Sequence, residues 1–154
     1  HGSVYAARQL PSSTDVAVKV VDLRGVGLGC PCVSQRRVRA IEREVAILSD
    51  LQQSASIVEL LGACIGNGLA YIVMEQCTSG LLPFVQGLVE TSEASLKWIF
   101  QEMMTGIAVC HAAGIVHRDV KCENYLVACR PTGEQRVKLC DFSLASRLRS
   151  SDAE

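Results

Sequence analysis

Eight consecutive residues, His117-Arg118-Asp119-Val120-Lys121-Cys122-Glu123-Asn124, concentrate groups that do chemistry. Asp119 offers a carboxylate that can accept or orient a proton, and Lys121 an ammonium that can neutralise a developing anion. Asn124 offers a hard oxygen donor, and a second acid follows seventeen residues later in Asp141-Phe142-Ser143. A further cation, Lys19, stands far upstream in Val16-Ala17-Val18-Lys19. Taken singly, most of these residues mean little: Lys19 reads as a solvated strand lysine, Glu44 as a surface helix charge and His111 as a side chain packing at a helix end. The run at His117 is different. Five fixed residues at its spacing would arise by chance about 5 times in 100,000 in a chain of this length.

These groups have to be positioned by elements that the hydrophobic pattern outlines. Val4 to Leu10 and Asp15 to Leu23 are β-rich and joined by Pro11-Ser12-Ser13-Thr14, which predicts a hairpin. In its second strand Ala17, Lys19 and Val21 share one face, and Val16, Val18 and Val20 the other. Gly25-Val26-Gly27-Leu28-Gly29 predicts a flexible loop, because it meets neither the dinucleotide nor the Gly-Lys-Ser/Thr phosphate-loop fingerprint. Val38, Ile41, Val45 and Leu48 recur at helical spacing, which predicts a helix over Ser34 to Leu51 with Ser34 as N-cap. Ile57 to Ile65 and Leu69 to Met74 form a second strand pair about Asn67-Gly68. Past Gly80 the pattern turns helical. Leu82-Pro83-Phe84 opens a short helix, and Glu93 to Ala113 a longer one carrying Leu96, Ile99, Phe100, Met103, Ile107 and Cys110, with Gly114 ending it. Tyr125 to Ala128 and Arg136 to Cys140 predict a last hairpin over Pro131-Thr132-Gly133.

The chain has 154 residues, 49% apolar and 20% charged, too apolar and too weakly charged for a disordered segment. Fifteen Lys and Arg against sixteen Asp and Glu provide no single-signed field for a phosphate backbone or an anionic bilayer, so neither nucleic acid nor a membrane is an expected partner. Leu60 to Met74, broken by Gly66-Asn67-Gly68, is too short to span a bilayer, and no basic-then-apolar leader follows His1. The eight cysteines lack zinc-ligand spacing and read as reduced, mostly buried thiols of an intracellular, cytoplasmic protein, with Cys30-Pro31-Cys32 a pair of loop thiols.

Together the His-Arg-Asp-x-Lys-x-x-Asn run, Asp141-Phe142 and Val16-Ala17-Val18-Lys19 make the chain resemble a eukaryotic protein kinase catalytic domain, with Lys121 pointing to the serine/threonine branch. The resemblance implies an α+β, two-lobe fold. Residues 1–77 would form a small lobe of antiparallel sheet with one helix and the hinge, and residues 78–154 part of a mostly helical large lobe. It implies ATP and Mg2+ as cofactors and a protein Ser/Thr hydroxyl as phosphoryl acceptor. Lys19 would hold the α/β-phosphates and be fixed by a helix carboxylate. Glu44 suits that role because it directly precedes Val45-Ala46-Ile47-Leu48, with Glu42 as the competing choice. Asp119 would receive or orient the acceptor's proton, Lys121 would steady the transferred group, Asn124 and Asp141 would ligate the metal, and Glu123 would orient the loop or meet the substrate. Gly2 and Val4 would belong to the Gly-rich loop, with Val4, Ala17 and Leu126 sandwiching adenine. Met74 would be the gatekeeper, and the backbones of Glu75 and Cys77 would pair with the base.

The resemblance covers nearly the whole chain, while the chain covers only part of the family's domain. Of what the resemblance implies, the first strand, two glycines of the Gly-rich loop, the activation segment, Ala-Pro-Glu and the later large-lobe helices are not among these 154 residues. The expectation for these 154 residues alone is therefore no peptide phosphorylation, weak ATP binding and an uncovered apolar side on the helix of residues 93–113. Ser143 stands where the family has glycine, which predicts a restricted backbone at Asp141. It motivates an alternative reading as an impaired or regulatory nucleotide-binding module. Leu81 stands where relatives that prefer basic substrates carry a Glu. Tyr125-Leu126-Val127 resembles the calcium-regulated members, although the chain contains no calcium-binding loop.

Overall fold

The computed structural model describes residues 2–25, 32–88, 90–130 and 132–148. Of the glycine-rich run, only Gly25 lies within them; Cys30 and Pro131 also lie outside. Alternating side chains in Ser3–Gln9 (β1) and Thr14–Asp22 (β2) produce the expected hairpin, closed where Gln9 faces Thr14. Leu60–Gly66 (β3) and Leu69–Glu75 (β4) form a second hairpin. Its two turn residues, Asn67 (φ 53°) and Gly68 (φ 75°), are both left-handed, the backbone that twists in register with the flanking strands. All four strands join one antiparallel sheet in the order β1-β2-β4-β3.

The expected strand from Ile57 is three residues too long at its start. Ile57 and Val58 are buried but pair elsewhere: Val58 donates its amide to Leu139 O at 3.0 Å, and Leu139 donates to Ser56 O at 2.9 Å. An apolar run shows that a segment is buried, not which sheet receives it.

Gln35–Asp50 forms α1, whose apolar stripe of Ile41, Ile47 and Leu48 packs toward the first sheet. Ser34 occupies the N-cap position with extended backbone, yet its side chain makes no capping bond; its amide donates to Leu23 O instead. After β4, Ser79–Gly80 (β5) leads into Leu81–Gln86 (α2) and then Glu93–Ala112 (α3). Ser92 caps α3 by accepting from the Ser95 amide at 3.1 Å, and Gly114 ends it at φ 66°. The inward face of α3 is Ile99, Gly106 and Cys110. Leu96 and Phe100 are exposed, 48% and 63% respectively, in keeping with the expected uncovered apolar side of this helix. At Gly106 α3 approaches its neighbours closely, because a Cβ there would stand 3.3 Å from both Leu139 Cβ and Ser56 O.

Ile115–Val116 (β6) pairs with Ser146–Arg147 (β9), while Tyr125–Cys129 (β7) and Gln135–Leu139 (β8) form a sheet with β5. One apolar cluster runs from Leu23, Leu48 and Ile72 through Ile57 and Leu139 to Tyr125 and Phe142, so both sheets share a core. The expectation of mostly buried thiols fails. Among the described residues Cys32, Cys64, Cys122 and Cys129 are exposed and only Cys110 is fully buried, because several of them stand on strand ends and loops. No helix among the described residues is long and apolar enough to cross a membrane.

Candidate functional site

Strand alternation sends Ala17, Lys19 and Val21 to one face of β2, where they wall a cavity of about 700 Å3. Glu44 enters from α1, on the same stripe as Ile41 and Leu48. A carboxylate within an apolar stripe marks it as partnered, and it is only 4% exposed. Lys19 Nζ donates to Glu44 Oε1 at 2.7 Å and to Asp141 Oδ1 at 2.8 Å. Residues 25 and 122 positions apart in sequence thus meet on one ammonium group. The competing Glu42 is exposed.

Burial disfavours a charged Lys19, but Glu44 and Asp141 outweigh it and hold its pKa above the ordinary lysine value. Burial pushes the Glu44 carboxyl up, and Lys19 offsets this only in part. Burial works to raise Asp141 as well, yet the Lys19 ammonium, together with the Ser143 hydroxyl and amide, brings it below the ordinary carboxylate value.

Asp141 stands between β8 and the 3-10 turn Phe142–Leu144 with φ 58° and ψ 74°, a left-handed backbone that aspartate tolerates better than most residues. The left-handed residue is Asp141 itself, and Ser143 continues the turn without positive φ.

The second cluster lies on the loop of residues 117–124. Lys121 Nζ donates to Asp119 Oδ2 at 2.8 Å, and Asn124 Nδ2 donates to Asp119 O at 2.7 Å and to Asp119 Oδ2 at 2.8 Å. These bonds, that from Lys121 first, hold the Asp119 carboxyl below its ordinary value. His117, only 3% exposed, ties the two clusters together. Its Nδ1 accepts from the Asp119 amide at 3.3 Å, which assigns the ring proton to Nε2, and Nε2 donates to Cys140 O at 3.0 Å. Its ring packs edge-on against Phe142 with centroids 4.9 Å apart. The Cys140 amide in turn donates to Asn124 O. His117 is thus a positioning residue between Asp119 and Asp141, a role that spacing alone did not reveal.

Gly2, Val4, Ala17, Met74, Glu75 and Leu126 all wall the cavity, whereas Cys77 does not. Asn124 and Asp141 wall its polar end, while Asp119 and Lys121 stand just outside, bonded to Asn124. Cys140 also lines it, but burial and then Asp141 push its thiol up to about 12, and Cys77 is raised to about 11. Both are neutral thiols unsuited to nucleophilic work. Glu75 was expected to act through its backbone. Its side chain is also engaged, since Oε1 accepts from Lys138 Nζ at 2.6 Å and from the Glu59 amide at 2.7 Å.

The donor set fits a hard cation. Asn124 spends its amide nitrogen on Asp119, which leaves its Oδ1 to coordinate, and Asp141 brings a carboxylate held ionised by Lys19. Among the described residues no group of three or more His, Cys, Asp or Glu forms a self-sufficient metal cage. Mg2+ suits such an arrangement, because it binds through one or two protein oxygens and completes its shell with phosphates and water.

The family model described as the protein kinase domain matches residues 1–154. This chain belongs to the protein kinase domain family. Its antiparallel first sheet with α1 and its more helical second part are the α+β, two-lobe fold of that family. It is 34% identical over 148 residues to CBL-interacting serine/threonine-protein kinase 13 of Arabidopsis thaliana, covering 94% of this chain and 27% of the relative. It is 34% identical over 125 residues to calcium-dependent protein kinase 16 of Oryza sativa subsp. japonica (77% and 23%). With calcium/calmodulin-dependent protein kinase type II of Caenorhabditis elegans it shares 37% over 122 residues (79% and 17%). The chain therefore spans about a quarter or less of the length of these curated relatives. All are named as protein kinases.

Proposed function

We propose that the kinase domain to which this chain belongs transfers the γ-phosphoryl group of ATP to a Ser or Thr hydroxyl of a protein. In this reading residues 1–77 are the small lobe with the hinge and residues 78–154 part of the large lobe, with ATP held between them. The observation that carries it is the meeting of Lys19 with Glu44 and Asp141, in one cavity with the Asn124 that is bonded to Asp119. Val4, Ala17 and Leu126 offer the apolar surfaces for adenine, and the Glu75 backbone a hydrogen-bonding edge.

Lys19, kept charged and fixed by two carboxylates, supplies the positive end for the α- and β-phosphates. Asp119 stays ionised and orients the acceptor hydroxyl, taking its proton as the new O–P bond forms and the bond from the γ-phosphorus to the β,γ-bridging oxygen breaks, releasing ADP. Lys121, beside Asp119, neutralises charge on the migrating group. Mg2+, held by Asn124 and Asp141, would draw charge from the phosphate oxygens.

In the full-length protein, Asp119→Asn is expected to lower phosphoryl transfer by about 10²- to 10⁴-fold. Nucleotide affinity, read by titration calorimetry, should stay close to that of the wild type. Undiminished turnover would remove Asp119 from the role. A non-catalytic nucleotide-binding module is the second reading, and it rests on Ser143. A large gain of activity in Ser143→Gly would favour it, and unchanged activity there would remove its basis.

A further inference from the structure

Lys19 and Glu44 belong to different elements, so their contact requires that α1 neither swings nor rotates relative to β2. The core grips α1 through Ile41, Ile47 and Leu48, and half-buried Val38 packs against it from the first turn. The other side chains there are solvated: Gln35, Arg36 and Arg39 are exposed, and Ser34 makes no side-chain capping bond. Cationic side chains here also oppose the helix dipole, since the first turn holds no acidic residue.

Arg37 departs from this solvated pattern. Its Nη1 donates to Asp22 O at 2.8 Å and to Arg24 O at 2.9 Å. Asp22 is the last residue of β2, three beyond Lys19, and Arg37 lies two turns before Glu44 on the cavity-facing side of α1. The receiving carbonyls are themselves held. Arg24 forks onto the Asp22 carboxylate at 2.9 and 2.7 Å, and its stem fills the space beside Gly68, where a Cβ would come within 3.0 Å of Arg24 Cγ. Leu23 donates its amide to Gly68 O.

Backbone bonds from Ser34 to Leu23 O and from Gly25 to Cys32 O anchor the segment that enters the helix. Arg37 adds a polar tie from the helix itself, on the side that carries Glu44. Because the Lys19–Glu44 bond joins β2 to α1, any shift of α1 against the end of β2 lengthens it. We propose that Arg37 is a positioning residue, a latch between the first turns of α1 and the end of β2 that keeps Glu44 on Lys19. The functional consequence rests on the kinase reading given above, whereas the latch itself does not.

The test uses the full-length protein with Arg37→Met and Arg37→Lys, each alone and with Glu44→Gln. Arg37→Met should lower kcat about tenfold, in keeping with the loss of charge-assisted hydrogen bonds, and Arg37→Lys should restore most of it, because an ammonium can still donate to the two carbonyls. In the Glu44→Gln background Arg37→Met should cost nothing further, since both changes remove the same contact. Hydrogen exchange should quicken in α1 of Arg37→Met and stay unchanged in β2. A loss in Arg37→Met that adds in full to that of Glu44→Gln, or unchanged exchange in α1, overturns the proposal. If the wild type transfers no phosphate, the kinase reading fails, and exchange in α1 still decides the latch.

Discussion

At the residue scale, the site is built from charges whose protonation is set by their partners. Lys19 bonds two carboxylates, and the direction of each shift fixes how stability depends on pH. The Asp141 pKa lies below its ordinary 3.8, so the folded protein binds its proton less readily than the unfolded chain. The resulting stability is present above pH 3.8 and is lost as pH falls through the lowered value. Asp119 has the same sign. Lys19, raised above 10.5, contributes below that value, and its share is lost as pH rises through the raised one. Thermal unfolding followed over the acid range should therefore show stability falling below about pH 4, with a shallower fall in Asp141→Asn. An unchanged acid limb in that variant would show that the Lys19–Asp141 bond contributes nothing.

At the scale of elements, two glycines separate backbone need from spare room. Gly114 ends α3 at φ 66° with no atom within 4 Å of a hypothetical Cβ, so replacement meets only backbone strain. Gly114→Ala should cost about 1 kcal/mol, seen as a fall in Tm of about 3 °C. Gly66, at the end of β3, also has open space but no positive φ, and Gly66→Ala should leave Tm unchanged. Equal effects at both would remove the conformational argument. The left-handed stop after α3 was readable from Gly114 and the periodicity before it. The capping of α1 was not, because Ser34 has the right type and place while its amide, rather than its hydroxyl, makes the bond.

At the scale of the whole molecule, the two sheets are coupled by polar as well as apolar contacts. Lys138 on β8 reaches Glu75 at the end of β4, with side-chain exposures of 12% and 21%. The same Glu75 oxygen accepts the Glu59 amide, so three segments converge on one carboxylate. Removing the ammonium leaves that charge partly buried with a single partner. Lys138→Met should therefore lower stability by about 2 kcal/mol in denaturant titration, and Lys138→Arg should lower it less. The shared core also predicts one cooperative transition, with far-ultraviolet dichroism and fluorescence of Trp98, the chain's single tryptophan, changing together. Separate transitions would mean that the two sheets fold independently.

The family resemblance, the hairpins, α1 and α3, and the short list of charged residues worth pairing could all be read from the order of the amino acids. Those are local properties: alternation, helical spacing, turn chemistry and a run of fixed residue types. Only the tertiary structure decided which groups meet. It chose Glu44 over Glu42, sent Ile57 and Val58 to β8 rather than to the first sheet, and left Cys77 off the cavity wall. It also revealed His117, Arg37 and Lys138 as ties between segments. The physical reason is that periodicity fixes the face on which a side chain stands. The neighbour waiting at that face depends on how distant segments close together, and no local pattern encodes that distance.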